Sequence, residues 1–204
     1  MSGSEWTGAA YADGDFARLD LELEELTDCR FERCTFWDAK LGEAVTESCV
    51  FDECDFAGAS FNASRHVASA FLNCSFRNVR FFGAEFAACK LTGSTFTGAD
   101  LTALTVQGGD WSYVNLAGAD LKRWQLRGLR LVGADLDEAD LSDADLREAD
   151  LTKAVLRQAD LRGADLRGAV LDGVRIDDLR LDGVRLDLAQ VVQLARERGV
   201  VVEH

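Results

Sequence analysis

The stretch "GADLDEADLSDADLREADL", residues 133 to 151, puts a leucine at every fifth position and sets eight acids against a single arginine. A helix would repeat its apolar face every 3.6 residues and a strand every 2, so a period of five suits neither. Extended outward from this stretch, the positions numbered 5n+1 from Phe16 to Leu186 are 35 residues, and all are Leu, Phe, Trp, Val or Ile except Thr46 and His66. Two places earlier sits a second regular position that is usually small: Cys29, Cys34, Ala39, Ala44 and Cys49 early in the chain, and every fifth residue from Ala134 to Ala169 later. The other three places collect Asp, Glu, Arg, Lys, Ser, Thr and Gly, the residues that face water.

Two inward residues spaced by two are strand-like, but an odd repeat would flip the face at the next unit unless the chain bends. The chain must therefore turn every five residues. Short extended pieces joined by turns, with one large and one small residue inside, describe a coil that stacks on itself as a solenoid.

At units such as "ADLSD", "ADLRE" and "ADLRG" the sequence resembles the pentapeptide-repeat family, whose motif is roughly Ala-(Asp/Asn)-Leu-x-x. The resemblance implies an all-β fold, a right-handed quadrilateral β-helix with four repeats per coil, here followed by a short C-terminal α-helix. Residues 20 apart would then lie on one face about 4.8 Å apart. Thirty-five repeats would make nearly nine coils and a rod of roughly 40 Å.

The 204 residues, 48% of them apolar and without one proline, are read as one continuous architecture: residues 1–186 as the β-helix, with 1–15 as an N-terminal cap, and 187–204 as a closing helix and short strand. A formal charge of −14 argues against direct contact with nucleic acid, whose backbone demands the opposite sign. No run of about 18 apolar residues is present, and the start, Met1-Ser2-Gly3-Ser4-Glu5, lacks the basic-then-apolar pattern of a secretory signal. The expectation is a cytoplasmic protein with no membrane partner.

Six cysteines invite a zinc or disulfide reading, since Cys29-x4-Cys34 and Cys49-x4-Cys54 look like paired ligands. All six fall on the small inward position, however, where a thiol behaves as a small apolar group. Stacking of Cys34, Cys54 and Cys74 leaves a disulfide geometrically open, but a reducing cytoplasm keeps such thiols free. No metal or cofactor is expected. Thr46 and His66, 20 apart, should be neighbours inside the coil, either hydrogen-bonded to one another or marking a widened coil used for recognition. No Gly-rich phosphate loop, His-Glu-x-x-His or Gly-x-Ser-x-Gly occurs, so catalysis is not expected.

The acids have a pattern. Asp100, Asp120, Asp140 and Asp160 are 20 apart, each just before the central residue, and should form a ladder of like charge on one face. Asp135, Asp137, Glu138, Asp143, Asp145, Glu148 and Asp150 fill adjoining faces of about one coil. Past Leu156 the sign softens through Arg157, Arg162, Arg167, Arg175, Arg180 and Arg185. Duplex DNA carries about one charge per 1.7 Å, so a 40 Å length would hold roughly 24, and any mimicry of DNA must lie in particular faces.

After Leu186 the period stops. "DLAQVVQLARERG" has Asp187 as a plausible N-cap, Leu188, Val191, Val192 and Ala195 on one apolar side, Arg196 and Arg198 near the end, and Gly199 as a stop. "VVVE" reads as a short strand. The helix could cap the last coil or pair with its twin, with Leu188, Val191, Val192, Leu194 and Ala195 as the interface.

The segments "SAFLNCSF" (69–76) and "DLAQVVQLARERGVVV" (187–202) are similar to the fluoroquinolone-resistance branch of the family, of which the Qnr proteins are more distant members. That resemblance implies a homodimer joined through its C-terminal region, shaped and charged like B-form DNA, that binds DNA gyrase or topoisomerase IV where DNA would lie. Two such rods would span about 80 Å, or roughly 24 base pairs. The chain has no insertion that would project a loop, which favours gyrase binding over protection of gyrase from drug. The competing expectation is a generic interaction scaffold, because a fold does not fix a function.

Overall fold

The computed structural model describes residues 6–175, 180–197 and 199–202, so residues 1–5, 176–179, 198, 203 and 204 lie outside it. The 5n+1 side chains point inward, and the turn that the odd period requires is made at 5n+3, where residues such as Arg18, Asp143 and Glu148 hold φ near +60°. That left-handed corner lets the next five residues present the same face inward.

Each coil is 20 residues long, and the residues that pair do so in parallel with the one 20 further on, from Thr7↔Thr27 to Asp165↔Arg185. Four pairing places per coil, five residues apart, make a square section: Asp15↔Thr35 and Asp20↔Lys40 are single bridges, whereas Glu25–Thr27 and Arg30–Glu32 are short strands. One file of strands runs Ala10–Ala12, Arg30–Glu32, Val50–Asp52, Ala70–Leu72. The other runs Glu25–Thr27, Val45–Glu47, Arg65–Val67, Glu85–Lys90 and Thr105–Asp110. Pairing begins at Thr7, inside the segment expected as a cap, and Trp6 and Tyr11 lie over Phe31 at that end of the core.

The interior is one continuous core. Phe31, Phe51 and Phe71 stack at 4.9 and 4.7 Å, and Phe36, Phe56, Phe76 and Phe96 at 4.8, 5.2 and 4.9 Å, the spacing of the coils themselves. From Leu116 to Leu171 the central place is leucine only, and from Ala134 to Ala169 the small place is alanine only. All six cysteines are buried and free. Their thiols donate to carbonyls 23 residues earlier, as in Cys49 to Leu26 O and Cys74 to Phe51 O, and burial pushes Cys49 and Cys89 up to about 11. Cys49 and Cys89 are inert packing groups, whereas the hydrogen bond from Cys74 lowers the Cys54 thiol.

Thr46 and His66 are register partners, as expected. His66 is hydrogen-bonded through Nε2 to Ser64 Oγ at 2.9 Å and through Nδ1 to Thr46 Oγ1 at 2.8 Å, and Thr46 Oγ1 donates to Ser69 Oγ at 3.0 Å. The neutral ring stacks on Phe86, and burial lowers its pKa to about 3. The hydrogen-bonded alternative is thus realised, and the widened coil lies elsewhere.

It lies between the coils at 99–107 and 119–127. Thr95↔Asn115 and Asp110↔Arg130 are bridged, but neither Asp100 and Asp120 nor Thr105 and Gln125 are, so pairing is lost at two of four places. The expected unbroken ladder from Asp100 to Asp160 is therefore corrected: it runs Asp120↔Asp140↔Asp160, and Asp100 pairs instead with Arg80. The physical reason sits inside. Leu104 and Trp124 occupy successive small positions, flanked by Ala84 and Ala144, and two large side chains do not fit one above the other at strand spacing. One place further round, buried Leu129 lies over Gly109 and pairing survives, with a stretched Arg130 N–H to Gly109 O bond of 3.4 Å.

The helix spans Leu188–Glu197. Asp187 Oδ1 accepts from Gln190 N–H at 3.0 Å while Gln190 Oε1 accepts from Asp187 N–H at 2.8 Å, a reciprocal capping box. Gln190 Nε2 donates to Leu166 O and Ala169 O, which bolts the helix to the last coils. Gly199, φ +76°, ends it. The strand expected at "VVVE" is not formed at residues 200–202, which run past the helix without a sheet edge to join.

Candidate functional site: the acidic faces and the C-terminal end

The Asp at each 5n place has a local task. Asp100, Asp120, Asp135, Asp140, Asp145, Asp150 and Asp160 each accept the backbone N–H two residues on, at 2.9 to 3.2 Å. This Asx-type bond holds the turn that the repeat needs. Much of the negative charge at 133–151 is therefore there to make the corner.

The acids at other places have no such task. Glu138, Asp143 and Glu148 sit at the left-handed corner itself, with φ of 58°, 58° and 60°, where the following coils use Gly163 and Gly168. A glutamate in that conformation costs about 1 kcal/mol against glycine, so its presence is not a demand of the backbone.

Arginines then divide the acids into neutralised and bare. Asp137 is clasped by Arg157, Glu148 by Arg127 at 2.7 Å, Asp143 by Arg123 at 3.8 Å, and Asp145 by Arg147 at 2.6 Å, with Arg147 also 4.0 Å from Asp165. Hydrogen bonds from Arg162 and Arg167 hold the carboxyls of Asp160 and Asp165 at about 2. Among the described residues Asp100, Asp120, Asp135, Glu138, Asp140 and Asp150 have no ion-pair partner. The register places of the first five, five or fewer residues apart modulo the 20-residue coil, put them along one edge of the rod, whereas Asp150 lies half a coil away in the file of Arg130 and Val170. Sequence alone grouped all eleven acids together; the arginine pairings that separate them join residues 20 or 21 apart or two apart, as in Arg157 with Asp137.

The expected dimer residues are also divided. Leu188 and Val191 are exposed, at 79% and 48%, as are Leu181, Val200 and Val201 nearby in the chain. Val192 and Ala195 are half-buried, and Leu194 packs against the solenoid core, lining a small apolar space with Leu166, Leu181 and Leu186. Gln190, unremarked in sequence, is the residue that docks the helix; its signal is the Asp-x-x-Gln capping box.

Among the described residues no group of His, Cys, Asp or Glu could hold a metal, and no helix is long and apolar enough to cross a membrane.

A square parallel β-solenoid whose corners are held by aspartates and whose end is closed by a docked helix defines a pentapeptide-repeat protein. The chain matches the pentapeptide repeat region family over residues 24–101 and the eight-copy pentapeptide repeats over 115–152 and 149–187, and it belongs to the pentapeptide-repeat family. It is 38% identical over 111 residues to the pentapeptide repeat protein MfpA of Mycobacterium tuberculosis, a match covering 54% of this chain and 58% of the relative. It is 36% identical over 75 residues to MfpA of Mycolicibacterium smegmatis, covering 37% of this chain and 31% of that protein. The matched region thus spans about half or less of these relatives. In fold it is similar to QnrB1, a plasmid-mediated fluoroquinolone resistance protein, with a TM-score of 0.85 over 97% of this chain and 99% of that one at 24% identity. It is also similar to HetL, a pentapeptide repeat protein involved in heterocyst differentiation regulation from Nostoc, with a TM-score of 0.51 at 25% identity over 87% of each chain.

Proposed function

We propose that this protein binds a type II topoisomerase, DNA gyrase before topoisomerase IV, as a partial mimic of DNA, competes with the DNA segment, inhibits the enzyme and lowers fluoroquinolone susceptibility. One observation carries the reading: a row of carboxylates without ion-pair partners along one edge of a straight-registered rod, Glu138 among them at a left-handed corner, while arginines pair with Asp137, Asp143, Asp145, Glu148 and Asp160. A linear array of unneutralised charge is what a basic DNA-binding groove attracts. Similarity to MfpA supports the choice of partner. The exposed Leu188 and Val191 support a homodimer formed through the C-terminal end, which doubles the length of the acidic edge. The protein acts by binding, in the cytoplasm, with no cofactor and no chemistry of its own.

A generic scaffold is favoured by one fact, the structural task of the 5n aspartates, which makes their charge incidental. Supercoiling by purified gyrase, titrated with the protein across a salt series, separates the two. Inhibition that fades steeply with salt supports the mimic. Absent or salt-insensitive inhibition removes the acidic edge from the function and leaves the scaffold.

A further inference from the structure

Where the coils part, the backbone is left with open valences. By the register kept everywhere around them, the amides of Leu101 and Ala103 should donate to Asp120 O and Lys122 O, and those of Asp120 and Gln125 to Ala99 O and Leu104 O. None of these four bonds is made, although the equivalent bonds form one face away at Phe96 N–H to Asn115 O and Trp111 N–H to Arg130 O, both near 3 Å. Three of these four open pairs, all but Gln125 with Leu104, lie on two facing edges that offer donors and acceptors in turn and line a cavity of about 310 Å³ bordered by Asp100, Thr102, Asp120, Lys122 and Trp124.

We propose that this slot receives an extended, arginine-bearing peptide segment by strand addition. The alternation of donors and acceptors on both rims selects a polypeptide main chain, because an anion would use only the N–H groups and a cation only the carbonyls. Charge selects the side chain. Asp100 and Asp120 face the slot from opposite rims without an ion-pair partner, and the half-buried Trp124 ring lines it, so a guanidinium can take two carboxylates and an aromatic face together. Lys122 is the opposing charge in the lining and weakens the site. The proposal goes beyond gyrase binding and stands whether or not that reading holds.

The test uses the full chain and an end-capped Thr-Val-Arg-Val-Thr peptide, followed by NMR. Saturable binding is expected, with amide shifts and slowed hydrogen exchange confined to Leu101, Ala103 and Asp120. The same peptide N-methylated at both valines should bind at least tenfold more weakly, as should the version with Glu for Arg, and Lys122→Ala should tighten the parent peptide several-fold. The double variant Leu104→Ala with Trp124→Ala restores small residues inside, lets the coils pair, and should abolish binding. Equal binding of the N-methylated peptide, or shifts spread over the acidic edge, would mean charge attraction alone and overturn the proposal. So would no binding at all, which leaves the slot filled by water. Because the peptide comparison is made on the unaltered protein, it decides even where the double variant fails to fold.

Discussion

Up to Phe96 this solenoid is filled mostly with stacked phenylalanines over a mixed set of Cys, Ala and Ser; from Ala134 to Leu171 it is filled with leucine over alanine, on the same backbone path. The first half is held by ring-on-ring contacts at 4.7 to 5.2 Å and by a buried Thr46–His66–Ser64 network that fits only one alignment. In the second half each repeat looks like the next, so a slip of five residues costs little inside, and the specificity of pairing rests on the surface, where Arg157 finds Asp137 and Arg127 finds Glu148 across coils. The first half has cross-coil pairs as well, Arg33 with Asp13 and Lys40 with Asp20, but adds interior variety that pins register; the second half has exterior charge alone and leaves an edge of acids bare.

The sharpest break of that contrast is Phe51→Ala. Phe51 is fully buried between Phe31 and Phe71, and its loss should cost about 4 kcal/mol. Leu146→Ala, equally buried in the second half, should cost about 3 kcal/mol. Urea denaturation with hydrogen exchange should show each loss concentrated in the adjacent coils, because repeats contact only their neighbours. Equal losses spread over the whole rod would deny the division into halves.

At the junction, Gly109→Ala should cost about 3 kcal/mol. Gly109 holds φ +112°, and a Cβ there would drive into the Cys89 carbonyl oxygen. Thermal melts should drop by several degrees; an unchanged melt would mean the coil shifts freely and Leu129 does not need the space.

His66 sharpens the comparison through pH. Its pKa of about 3 in the fold lies below the ordinary value of 6.5, so the unfolded chain binds the proton that the fold refuses. Its contribution is present in full above pH 6.5 and falls away as pH drops from there toward 3, by about 2 kcal/mol at pH 5. His66→Phe, which continues the stack onto Phe86, should be more acid-stable, with its advantage over the parent growing by that amount between pH 7 and pH 5 in urea titrations. A constant difference across that range would place the titration elsewhere.

The smallest stability effect carries the functional half of the contrast. Glu138→Gly relieves a left-handed glutamate and should raise stability by about 1 kcal/mol. It should also weaken gyrase inhibition, which Glu138→Lys should weaken further with no loss of fold. Unaltered inhibition by both variants would take the bare edge out of the partner contact.

Much of this was legible in one pass along the chain. An odd period with one large and one small inward residue dictates a turn every five residues and a stack of coils, and the exceptions Thr46 and His66, 20 apart, had to meet because a 20-residue coil makes them register partners. The capping box at Asp187 and Gln190 is likewise local. What only the tertiary structure decided depends on side chains a whole coil apart. That Leu104 and Trp124 fall at vertically adjacent small places, and part the coils, follows from volume shared across 20 residues. Which acids are neutralised follows from the reach of arginines to the next coil, and Leu194 turned inward while Leu188 stayed out because the helix docks by Gln190 on the Leu166 and Ala169 carbonyls. Periodicity determines where a residue points; only packing determines what it meets there.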